Sequence, residues 1–179
     1  MTNPCIDLRQ IGAEGIRFDH PLRLGELKVQ DQERILVRDA RLRGSADPDE
    51  RGLYLTARLD ATVDLSCCRC LDGFEKTLGT DFVLIIVPDA VEFGAGDSEV
   101  TEEDSALFYA RDGRADLGEI AREQVYLNLP LKPVCRPRCR GLCPTCGVNR
   151  NRIECDCGEE SVDPRLAPLL EFKKHLTDS

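Results

Sequence analysis

Ten cysteines occur in a chain of 179 residues, and six of them lie between positions 135 and 157. Their spacing is that of metal ligands. Cys143 and Cys146 form a Cys-Pro-x-Cys-Gly knuckle. In such a knuckle two thiolates three positions apart grip one ion, and the following glycine permits a tight turn that aims backbone N–H groups at sulfur. Cys155 and Cys157 make a Cys-x-Cys pair that can close a tetrahedral four-thiolate site with them. Cys67 and Cys70 repeat the Cys-x-x-Cys spacing, and Cys135 and Cys139 supply the two further thiols that a second site requires. Spacing alone leaves the pairing open. Either two zinc ions are bound, or one is bound at the Cys143 knuckle while Cys135 and Cys139 stay free. Four thiolates leave no position for water, so zinc held in this way is structural rather than catalytic. The first twenty residues carry no secretory apolar stretch. The expected setting is therefore a reducing cytoplasm, where thiols bind metal instead of building a disulfide framework.

The charge pattern singles out the same segment. The chain as a whole is acidic, at −9, which argues against a whole-protein electrostatic grip on nucleic acid or membrane. Yet Lys132, Arg136, Arg138, Arg140, Arg150 and Arg152 fall in a run, residues 132–153, that has no acid. These six are candidate phosphate contacts for an RNA. The competing reading is that they screen sulfur, because each four-thiolate zinc carries a net charge of −2. Residues 89–104 are the opposite case, with seven acids and no base.

Other chemistry is weaker. Cys67-Cys68-Arg69-Cys70 has the composition of a redox dithiol, with Arg69 lowering a thiol pKa, but it leaves a strand rather than opening a helix. Cys5 and Cys68 read as bystanders. His20 and His175 stand at no ligand spacing from a cysteine pair and read as solvated. Asp60 and Asp64 lie on the polar face of a strand. No nucleophile constellation and no phosphate-binding glycine loop is present, so an enzyme is not expected.

The elements that position these thiols are mostly strands. Residues 53–65 alternate strictly, from Leu53, Leu55, Ala57 and Leu59 to Ala61, Val63 and Leu65, with polar residues between all but one pair. Such alternation predicts one wet face and one buried face, as in an antiparallel sheet. Residues 74–87 return as the partner strand after a turn that carries the Cys67 pair. Between 22 and 43 the apolar parity switches at Gly25 and near Arg38-Asp39, which predicts a bulge or bend at each. Residues 44–52, with Asp47-Pro48-Asp49, read as a loop. Residues 106–109 suggest a short edge strand before an Asp112-Gly113 turn. Residues 116–129 form the expected helix, opened by an Asp116-x-x-Glu119 capping box and stopped by Pro130, with Leu117, Ile120, Ala121, Gln124 and Asn128 on one stripe. Asp163-Pro164 opens a short last helix carrying Leu166, Leu169, Leu170 and Phe172. No apolar run exceeds the six residues 82–87, far short of a membrane span.

The expected fold is α+β, a bent antiparallel sheet with one packed helix and a C-terminal zinc-knuckle extension. The expected order is an irregular lead-in over 1–19, then a β core plus helix over 20–130 that contains the acidic loop 89–104. A zinc module follows over 131–160, and the short helix lies in 161–179.

Four blocks together resemble the YceD family of large ribosomal RNA subunit accumulation proteins. They are Cys67-x-Arg69-Cys70-Leu71; Asp116-Leu117-Gly118-Glu119 through Gln124 to Leu129-Pro130-Leu131-Lys132-Pro133; Cys139-Arg140-Gly141-Leu142-Cys143-Pro144-x-Cys146-Gly147-x-Asn149 with Cys155-x-Cys157; and Asp163-Pro164-Arg165-Leu166. The resemblance runs from about residue 20 to 173, and the order and spacing of the blocks make it specific. It implies a ribosome-biogenesis factor that supports accumulation or processing of large-subunit ribosomal RNA, with no defined enzymatic reaction. Some family members lack the C-terminal cysteines. The expected mechanism is contact with ribosomal RNA or a pre-ribosomal particle through the basic zinc module. The alternative is a zinc-stabilised adaptor whose acidic surface holds a basic ribosomal protein. No membrane and no small-molecule substrate is expected.

Overall fold

The structure, a computed structural model, describes residues 3–28, 34–50, 52–88 and 106–157. These fall into two compact units. One comprises residues 3–67 and 72–135, the other residues 68–71 and 136–157.

The first unit is built on three long strands: β4 (Arg34–Asp49), β5 (Gly52–Ser66) and β6 (Gly73–Pro88). Before them come β1 (Cys5–Asp7), β2 (Ile16–Leu22) and β3 (Gly25–Lys28). After them come β7 (Leu107–Ala110), β8 (Arg114–Asp116) and one helix, α1 (Leu117–Leu127). The main sheet runs β2-β4-β5-β6-β7, with β3 also paired to β4. The strict alternation of β5 is satisfied on both sides. Leu59 faces Leu42 on β4 and Thr80 on β6 in register. Leu42, Leu55 and Val63 are wholly buried with Leu59, and α1 contributes Leu117, Ile120, Ala121 and Val125 to the same core.

The parity switches have two different causes. Near Arg38 the register of β4 against β5 shifts between Val37 and Asp39, a bulge. At Gly25 the chain breaks instead, and β2 and β3 pair separately with successive halves of β4. The polar face is laced with ion pairs: Arg41 to Asp19 at 2.7 Å, Arg43 to Asp60 at 3.1 Å, Arg38 to Asp64 at 2.7 Å and Arg58 to Asp81 at 2.7 Å. Asp60 and Asp64 therefore serve the sheet surface.

Several expectations are corrected. Residues 44–49 are not a loop but the end of β4, paired through Asp49 with Gly52. Gly44 is there because a Cβ would collide with the Thr56 backbone oxygen, a packing demand that reads locally as turn chemistry. The lead-in is not irregular: β1 pairs with β8, and β2 pairs with β4. The edge strand β7 pairs with β6 in parallel, so the sheet is mixed. The capping box does not close. Asp116 accepts from the Gly118 N–H at 2.7 Å, while Glu119 faces Arg111 at 3.6 Å. The helix ends at Leu127, before Pro130, and the Asn128 side chain donates to the Gln124 carbonyl at 2.8 Å. His20 is half-buried and stacks on Phe18, with ring centroids 6.4 Å apart. The acidic loop 89–104, the helix expected within 161–179 and His175 lie outside the described residues. No helix among the described residues is long and apolar enough to cross a membrane.

Candidate metal centres

The hairpin between β5 and β6 carries the first thiols. The Cys67 N–H donates to the Asp72 carbonyl at 2.9 Å and closes the turn. Leu71 takes a left-handed φ of 61°, a conformation that a side chain with a Cβ disfavours. Residues 68–71 belong to the second unit, where Arg69 does the fastening. Its carbonyl accepts the Leu142 N–H at 2.9 Å, and its guanidinium donates to the Cys139 carbonyl at 3.1 Å. Arg69 thus holds the 139–142 segment by its backbone. Gly141, at φ 73°, leaves room for that approach, since a Cβ there would sit 3.0 Å from the Arg69 oxygen.

The knuckle is a small hairpin. Cys143 N–H donates to the Val148 carbonyl at 2.8 Å, and Gly147 N–H donates to the Cys143 carbonyl at 2.9 Å. Gly147 sits at φ 73°, the left-handed turn that the sequence demanded of it. Leu142 and Asn149 pair across it.

These local folds gather the eight thiols into two sets of four, the same two sets that a two-site reading groups together. Cys67, Cys70, Cys135 and Cys139 form one tetrad, and Cys143, Cys146, Cys155 and Cys157 form the other; within each, all sulfurs lie within 4.8 Å of one another. A tetrahedral ion with metal–sulfur bonds of ~2.3 Å sets its sulfurs about 3.8 Å apart, so both sets fit such an ion. None of the ten cysteines is joined in a disulfide, and Cys5 and Cys68 are exposed and outside both tetrads. In the first tetrad Cys67, Cys70 and Cys139 are buried. In the second only Cys143 is buried, and the other three reach solvent.

Electrostatics within the second tetrad point the same way. Backbone N–H groups of Cys146 and then Thr145 pull the Cys143 thiol down to about 6. Cys157 is pushed up to about 12, first by its hydrogen bond with Cys146, and Cys155 is raised, first by its hydrogen bond with Cys143. One sulfur ionises readily and its neighbours then resist. A dication is what allows all four to be thiolates together. Each tetrad can therefore hold a metal ion.

The candidate RNA contacts are all exposed: Lys132 in the first unit, and Arg136, Arg138, Arg140, Arg150 and Arg152 in the second. Arg140 is engaged with Glu154 at 3.1 Å. Two residues escaped the sequence reading. Arg69 drew notice as a perturber of a thiol and as part of the first family block, but its role as a strut did not. Asn151 drew none; its one signal is its place between the ligand pairs, two positions after Asn149.

Among the described residues, a mixed, bent sheet with one helix is joined in sequence to a cysteine-rich unit, which defines a sheet-based protein with sulfur-lined candidate metal sites. The family described as Large ribosomal RNA subunit accumulation protein YceD matches residues 55–173, and the chain belongs to that family. An uncharacterized protein of Mycobacterium tuberculosis (strain H37Rv) is 35% identical over 176 residues, covering 93% of this chain and 80% of its own. The chloroplastic Large ribosomal RNA subunit accumulation protein YCED homolog 1 of Arabidopsis thaliana is 24% identical over 148 residues, covering 71% of this chain. This chain spans only 46% of that plant relative's length. The uncharacterized protein YlbN of Bacillus subtilis is 23% identical over 177 residues, covering 96% of each chain. No solved structure matches this chain.

Proposed function

We propose that this protein is a non-enzymatic factor that supports accumulation of large-subunit ribosomal RNA, with zinc at both cysteine tetrads and direct RNA contact through the second unit. Family membership supports the ribosomal role, and the plant relatives carry the same description in their names. The observation that carries RNA contact is the acid-free run 132–153, whose six basic residues are all exposed. Arg136, Arg138 and Arg150 would grip phosphates without reading sequence. Zinc would hold the segment that bears them in shape, and a reducing cytoplasm would keep its thiolates intact.

One observation favours a second reading. Residues 68–71 and 136–157 hold six arginines against Glu154 and Asp156, a balance of +4. Two four-thiolate zinc sites, at −2 each, would offset it. The protein would then act as an adaptor, with zinc holding shape and an acidic surface engaging a basic ribosomal protein.

Fluorescence anisotropy of the metal-loaded protein on a labelled large-subunit ribosomal RNA fragment separates the two. Direct contact predicts a log–log salt slope of about −0.7 to −0.9 per neutralised phosphate. It also predicts that the R136E/R138E/R150E variant loses binding while keeping its metal. Absence of binding by the parent protein at low salt would defeat RNA contact and favour the adaptor.

A further inference from the structure

The side chain of Asn151 makes three contacts that set its orientation. Its oxygen accepts the Arg140 backbone N–H at 2.9 Å. Only an oxygen can face that donor, so the amide nitrogen must point the other way. There it donates to Cys139 Sγ at 3.3 Å and to Asn149 Oδ1 at 2.9 Å. Asn149 Oδ1 also accepts the Asn151 backbone N–H at 3.0 Å, which fixes the residue from a third side.

The placement is what matters. Cys139 is a ligand of the first tetrad. Asn151 sits between Cys146 and Cys155, on the loop whose two ends the second tetrad grips. That loop is anchored further by the Arg150 N–H to the Gly141 carbonyl at 2.9 Å and by the Ile153 N–H to the Asn149 carbonyl at 3.0 Å. We propose that Asn151 is a positioning residue that couples metal loading at the two tetrads. Metal at the second tetrad closes the loop and presents the amide to the Cys139 sulfur. The N–H···S bond aims that sulfur, as outer-shell donors do for metal ligands. Because coupling is reciprocal, metal at the first tetrad also favours loading of the second. The proposal rests on the reading that both tetrads hold metal.

The test is a titration of the reduced, metal-stripped full chain with Co2+, read by thiolate-to-cobalt charge-transfer and d–d absorption, with Zn2+ competition. The C143S/C146S variant isolates the first tetrad, and C67S/C70S isolates the second. In the parent chain, N151A should weaken the first tetrad by ~10–100-fold. In the C67S/C70S background it should leave the second unchanged. The C143S/C146S change should itself weaken the first tetrad, and adding N151A to it should cost little more, since the loop is already released. N151D keeps the acceptor for Arg140 but loses the donor to sulfur, so it should weaken the first tetrad at least as much as N151A. Recovery in N151D would mean that only the Arg140 bond matters and would overturn the proposal. So would an unchanged N151A, or additive losses. Failure of the parent chain to take up cobalt or zinc at either tetrad would instead remove the metal reading beneath it.

Discussion

In the first unit twenty-five of the described residues form one buried apolar cluster, from Ile6 to Val125. In the second, Cys70, Cys139, Gly141 and Cys143 are buried, and the described aliphatic side chains are not: Leu142 and Val148 are half-exposed, and Leu71 and Ile153 are exposed. The two parts of one chain thus use different sources of stability. A sheet with wholly buried Leu, Ile and Val carries an apolar core of its own. The described segment 136–157, with no apolar interior among its described residues, offers little area to offset its ordering entropy, a deficit that cross-links through metal would offset. The difference teaches where ligand dependence should appear.

Metal removal should split the molecule most strongly. Structural zinc in small peptides contributes ~10–16 kcal/mol of apparent binding free energy, which is folding free energy there. A strong chelator under reducing conditions should therefore open residues 136–157 to proteases while the sheet stays resistant, as mapped by limited proteolysis and mass spectrometry. Simultaneous loss of both units would break the comparison. The converse test is Leu59→Ala, which empties a site 1% exposed at the centre of the sheet. It should cost about 2–5 kcal/mol in denaturant unfolding of the first unit and leave metal content unchanged. A smaller effect is expected at the helix start. Asp116→Ala removes the acceptor for the Gly118 N–H and should cost about 0.5–2 kcal/mol, again without metal loss.

The smallest effect concerns pH. The Arg41 guanidinium beside Asp19 holds its carboxyl below the usual carboxylate range. A depressed folded pKa stabilises the fold at pH values above the unfolded pKa, and that contribution is lost as pH falls through the folded value. Asp19→Asn should therefore lower stability slightly at neutral pH and converge with the parent in acid, which flattens the acid limb of the stability curve. The pair is exposed, so the difference should be small.

What the sequence revealed followed the range of the forces involved. The alternation of β5 is a local pattern with a single structural solution, and it was legible. The thiol pairs were legible for the same reason, since two- and three-residue spacings fix sulfur geometry locally. Residues 44–49 misled because Gly, Asp and Pro carry turn chemistry, while pairing with β5 and the tight approach of Gly44 to Thr56 decide the outcome. Pairing of β1 with β8 and the parallel setting of β7 are long-range choices with no local signature. The Asn151 contact with Cys139 is of this kind too: it depends on a side-chain amide meeting a sulfur twelve positions away. Val125 is fully buried yet was left out of the expected stripe, although it follows Ala121 by four positions and joins the same core.

The central claim is that sulfur-held metal does in the second unit what the apolar core does in the first. Native mass spectrometry of the reduced full chain, purified without added metal, tests it most directly. The expected mass is that of one chain plus two zinc ions, less the thiol protons they displace. A chain that carries no metal, with its thiols intact or joined as disulfides, would contradict it.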